Sequence, residues 1–166
     1  MRSLEKFNQR VNGVLAWAAG LALIAMMLFT VADMALRALG RPVAGSYEII
    51  GWLSAAAMAL ALGYTQVHRG HVAIDLLTTR LRGRTRAAIE LATCLLAFAL
   101  FAAVAWFLAR YGRVLQETGS LSETLKAIVY PWVYVVAAGA AGLALALLAD
   151  LLQSVARLRG ALREGR

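Results

Sequence analysis

Residues 14–32 read Val14-Leu-Ala-Trp-Ala-Ala-Gly-Leu-Ala-Leu-Ile-Ala-Met-Met-Leu-Phe-Thr-Val-Ala32. These nineteen residues carry no charge and are apolar on every side. As a helix rising 1.5 Å per residue they span about 28 Å, close to the thickness of a bilayer's hydrocarbon core. A barrel strand would instead alternate apolar and polar residues over about ten positions, so the stretch excludes a membrane β-barrel. Windows 49–67, 91–109 and 128–149 repeat the pattern, and none of the chain's 26 charged residues falls in any of the four. The predicted fold is an all-α integral membrane protein with four transmembrane helices, at about 14–36, 48–67, 87–110 and 127–150.

Composition agrees. Of the 166 residues, 61% are apolar and 16% charged, against about 45–50% and 25% in soluble domains. A water-soluble or disordered chain is excluded. The first window follows Arg2, Lys6 and Arg10 like a secretory signal, but it exceeds the roughly 7–15 residues of a signal core, and no clear small-x-small cleavage site follows it before Asp33 and Arg37. A retained helix is expected.

The +8 net charge raises the question of nucleic acid, and its distribution answers it. Alternate segments lie on one side of a four-span protein. Segments 1–13, 68–90 and 150–166 together hold 12 Lys and Arg, and the two intervening loops hold five. The positive-inside rule therefore puts both termini and the 68–90 segment in the cytoplasm. Anionic phospholipids, not nucleic acid, are the expected partner of this basic rim. Its segments also look amphipathic. Leu4, Phe7 and Val11 share one helical face, so 1–13 is expected to lie in the interface before turning into the first span. The 68–86 segment should form an interfacial loop or short helix with Arg80, Arg82, Arg84 and Arg86 at headgroup level, and 151–166 an amphipathic tail.

The spans lack coupling chemistry. Ion-coupled carriers usually hold ionisable residues at depth or break helices at the midplane. Here Asp33, Glu48, Glu90 and Asp150 all stand at helix ends, and Pro131 falls in the first turn of the fourth helix, where its missing N–H matters least. His68 and His71 share one short segment, which does not suit haem ligation between facing helices, and Asp75 alone would complete no zinc site. Cys94 reads as a small buried residue. No catalytic constellation, metal site or cofactor is expected. Small-residue pairs, Ala55 with Ala59 and Ala138 with Gly142, would let helices approach closely. Trp17, Trp52, Trp106 and Trp132 suit interfacial anchors, and Asp33 and Arg37, spaced i, i+4, suit an ion pair.

Several strings resemble one family. Arg37-Ala-Leu-Gly40-Arg-Pro42 precedes Glu48 at the start of helix two. His71-Val72-Ala-Ile74-Asp75-Leu76-Leu77 follows that helix, and Thr124-Leu125 with Pro131-Trp132 opens helix four. Together with four spans, these resemble the DctQ family, the small membrane subunit of tripartite ATP-independent periplasmic (TRAP) transporters. The resemblance implies a bacterial inner-membrane protein without catalytic or substrate residues. It implies two protein partners: a DctM-like large membrane subunit, which it scaffolds, and a DctP-like periplasmic binding protein that delivers an organic acid for sodium-driven uptake. By the same resemblance, Arg37 and Glu48 would orient helices one and two or face the binding protein. His71 and Asp75 would fix the 68–90 segment, and Trp52 and Trp132 would be depth anchors or partner contacts. Two other readings stay open: a small autonomous four-helix transporter or channel, although its usual embedded glutamate is missing, and a membrane anchor of another complex.

Overall fold

The computed structural model describes the backbone of residues 2–68 and 83–164, and side chains within 5–68 and 88–156. Four helices account for most of these residues: α1 (Arg2–Ala38), α2 (Ser46–Val67), α3 (Gly83–Thr118) and α4 (Tyr130–Glu164). All four are long and apolar enough to cross a membrane, as the charge-free windows predict. The described residues contain no strand beyond a single bridge between Leu121 and Ile128.

Glycine ends the first and third helices. After α1, Gly40 takes φ +72°, Arg41 N–H donates to Leu36 C=O at 2.9 Å and Gly40 N–H to Arg37 C=O at 3.0 Å. This pair of bonds is a Schellman stop, and it needs the left-handed residue that glycine supplies. Pro42 directly after it prevents the helix from resuming. After α3, Gly119 (φ +62°) plays the same part, with Ser120 N–H donating to Leu115 C=O at 3.1 Å. The loop from 120 to 129 then folds on itself through Ser122 N–H to Ala127 C=O at 2.9 Å. Consequently α4 opens at Tyr130 with Pro131 as its second residue. Ala127 and Ile128, expected inside the fourth span, belong to this loop.

The turn expected after residue 13 is absent. α1 runs unbroken for 37 residues, since nothing in the stretch forbids helix and Gly13 alone is a mild breaker. Its first turns turn Asn8 and Asn12 inward, where both are buried.

α4 is the central element. It packs against each of the other helices, α1 and α2 pack on each other, and α3 lies against α4. Half of α4's apolar window is buried within the protein and none of α3's. The backbones of α2 and α4 approach closely: a Cβ on Gly139 would collide with the main chain of Ala59 and Leu60. Of the small-residue pairs expected there, Ala59 and Gly142 are buried while Ala55 and Ala138 are exposed. The buried faces run instead through Ala56, Ala59, Leu60 and Gly63 on α2, and Ala140, Leu143 and Leu147 on α4.

Candidate functional site

Polar side chains gather at the two ends of the bundle. At the end where α1 meets α2, the Schellman stop brings the loop back toward the last turns of α1. Arg37 Nε donates to Asp33 Oδ2 at 2.7 Å, forming the expected i, i+4 ion pair. The same guanidinium reaches forward from Nη2 to the Ser46 hydroxyl at 2.8 Å, and Asp33 Oδ1 accepts the Val43 backbone N–H at 3.1 Å. Asp33 and Ser46 are buried. Arg37 also lies over the exposed Tyr47 ring, 5.3 Å from its centre, in reach of a cation–π contact. One arginine thus joins the end of α1 to the start of α2.

Glu48, in the first turn of α2, ties in the other loop. Its Oε1 accepts the Thr124 backbone N–H at 2.8 Å and its Oε2 that of Leu125 at 3.1 Å. Charged acceptors make stronger hydrogen bonds than neutral ones, and here both oxygens serve consecutive amides of a loop 76 residues away. Close approach demands glycine beside it: Gly45 sits at φ +73°, and a Cβ there would strike the Leu125 side chain. One turn deeper, Trp52 and Trp132 stack with centroids 5.6 Å apart and planes at 24°. Arg37 and Glu48 therefore meet through the first turn of α2, and Trp52 and Trp132 meet directly. Gly112 of α3 adds a last link, lying against the Tyr134 ring of α4.

The opposite end is tied by amides. Gln66 Nε2 donates to Asp150 Oδ2 at 2.8 Å, and Gln153 Nε2 to Glu5 Oε1 at 3.2 Å. Asn12 Nδ2 donates to Asn8 Oδ1 at 2.7 Å and to Asn8 C=O at 3.2 Å. Cys94 Sγ lies 3.8 Å from Ser154 Oγ, which places it between α3 and α4. His71 and Asp75 lie outside the described residues, as does most of the 68–86 segment. Sequence reasoning did not single out Asn12, Gln66, Gln153 or Gly45. An amide just ahead of the first apolar window was the available signal for Asn12; for the rest, only packing identifies them.

The carboxylates and guanidinium of the first end are engaged in holding loops, and no described group of three His, Cys, Asp or Glu residues is placed to hold a metal. The fold and these ties define a multi-pass, all-α membrane protein whose polar residues join segments. The family profile of the DctQ component of tripartite ATP-independent periplasmic transporters matches residues 26–157. The chain belongs to that family: it is a small membrane subunit of a TRAP transporter, a multi-pass protein of the bacterial inner membrane. Comparison with curated proteins and with solved structures gives no match.

Proposed function

We propose that this subunit scaffolds the large DctM-like membrane subunit for sodium-driven uptake of an organic acid delivered by the DctP-like binding protein, and carries no substrate itself. The observation behind this reading is the contrast between spans without any charged residue and charged side chains whose ties lie at the ends. Transport through this chain alone would call for ionisable groups at depth. Exposed apolar side chains along α3, among them Leu96, Leu100, Trp106 and Phe107, offer surface for lipid or for the large subunit.

In this reading the termini are cytoplasmic, so the Arg37 and Glu48 end faces the periplasm. Arg37 and Glu48 hold the two periplasmic loops in one shape, Trp52 and Trp132 fix their depth, and the binding protein meets that surface. His71 and Asp75 order the 68–86 segment through hydrogen bonds, and its arginines contact anionic headgroups. Deleting the chain from cells that retain the other two components tests the role. Loss of organic-acid uptake together with loss of the large subunit from the membrane is expected; undiminished uptake contradicts it. A reporter fused near Glu117 tests the orientation, with a periplasmic signal expected.

A further inference from the structure

Asn12 is fully buried, with 0% of its surface exposed. Its amide nitrogen is used twice on Asn8, but no N–H or O–H among the described residues reaches its Oδ1. Its neighbours Gly63 and Gly142 belong to the charge-free windows of α2 and α4, so the oxygen stands within the apolar layer. Water there is scarce, and an unsatisfied acceptor is costly.

The glycines explain how it is tolerated. Asn12 Oδ1 occupies the place a Cβ would take on Gly63, and it is 3.0 Å from where a Cβ would sit on Gly142. In glycine a Cα–H bond points along that direction. The oxygen therefore faces a Cα–H of α2 and stands beside another of α4, and the space a bridging water would need on the Gly63 side is filled by the oxygen itself. Contacts of this kind recur where helices cross closely and are weaker than N–H···O bonds. The Leu15 side chain closes the far side, against Gly142.

We propose that Asn12 Oδ1 accepts Cα–H···O contacts from Gly63 and Gly142 and keys the first half of α1 into the α2–α4 crossing at a single register. The key holds upright a stretch whose amphipathic pattern equally suits lying flat in the interface: Asn12 locks it at depth, and Glu5 on Gln153 closes it at the helix end. It is independent of any role in transport.

Thermal unfolding of the purified full chain in detergent, followed by intrinsic fluorescence, tests the key. Gly63→Ala places a methyl where the oxygen sits and should lower Tm by about 5 °C or more, or abolish folded protein. A Cβ on Gly63 would also fall 2.9 Å from the Gly142 carbonyl carbon, so Asn12→Ala/Gly63→Ala, which relieves only the clash with the amide, should recover part of the loss. Asn12→Leu keeps the branched outline but replaces the amide with bulkier methyls; a fall of about 2–5 °C is expected. Wild-type Tm in Gly63→Ala, or a double variant no better than Gly63→Ala, overturns the steric pairing. Wild-type or higher Tm in Asn12→Leu overturns the polar contact.

Discussion

At the Arg37 end of the bundle the ties are made by charged groups on loop backbone: Asp33 and Arg37 close the α1–α2 turn, and Glu48 caps two amides of the α3–α4 loop. At the Asn12 end the donors are carboxamides: Gln66 on Asp150 and Gln153 on Glu5 between helices, and Asn12 on Asn8 within α1, its oxygen against the two glycines. The difference follows from what each end must join. Loops outside the hydrocarbon present unpaired N–H groups that an ionised acceptor satisfies well, and water accommodates the remaining charge. Helices have their own backbone bonds satisfied already, so here side chains join side chains, carboxamides on the end carboxylates Asp150 and Glu5. Small residues let the helices meet closely within the apolar layer.

The largest expected effect breaks the helix crossing on which the Asn12 end depends. Gly139→Val puts a branched side chain into the main chain of Ala59 and Leu60. It should destabilise the fold by about 3 kcal/mol or more, seen as loss of monodisperse protein on size exclusion. Next comes Glu48→Ala, which leaves both Thr124 and Leu125 amides without their acceptor. Protease should then cut the 119–129 loop faster than in wild type, with Glu48→Gln intermediate because one amide oxygen remains. The Trp52–Trp132 stack sharpens the same end: Trp132→Leu should cost about 1 kcal/mol, measured as a fall in Tm. Gln66→Leu, at the other end, removes one interhelical hydrogen bond and should cost about 0.5–2 kcal/mol. The smallest effect is Gly13→Ala. Nothing lies within 4 Å of a Cβ there, so stability should be unchanged or rise by up to about 1 kcal/mol, although Gly63→Ala, the same change on the facing helix, is expected to be damaging.

Much of the Arg37 end was legible from the residues in order. The Asp33–Arg37 pair is local, Gly40 and Pro42 mark the helix stop, and four charge-free windows give four helices. The partner of Glu48 was not, because an acceptor pairing with amides 76 residues on is decided by how α2 and α4 cross. The Asn12 end was largely illegible for the same reason. Ala55, Ala59, Ala138 and Gly142 look alike in sequence, and only the crossing decides that Ala59 and Gly142 face inward. Asn12 was not singled out, since 1–13 reads as an interfacial stretch and the sequence does not reveal that α1 continues without a turn and carries the amide inside.

The central claim is that this chain supports transport without performing it. Proteoliposomes with an imposed sodium gradient, loaded with this subunit alone, with the large subunit and binding protein alone, or with all three, measure it most directly. The account predicts organic-acid uptake with all three, little without this subunit, and none with this subunit by itself. Uptake by this subunit alone, or full uptake in its absence, would contradict it.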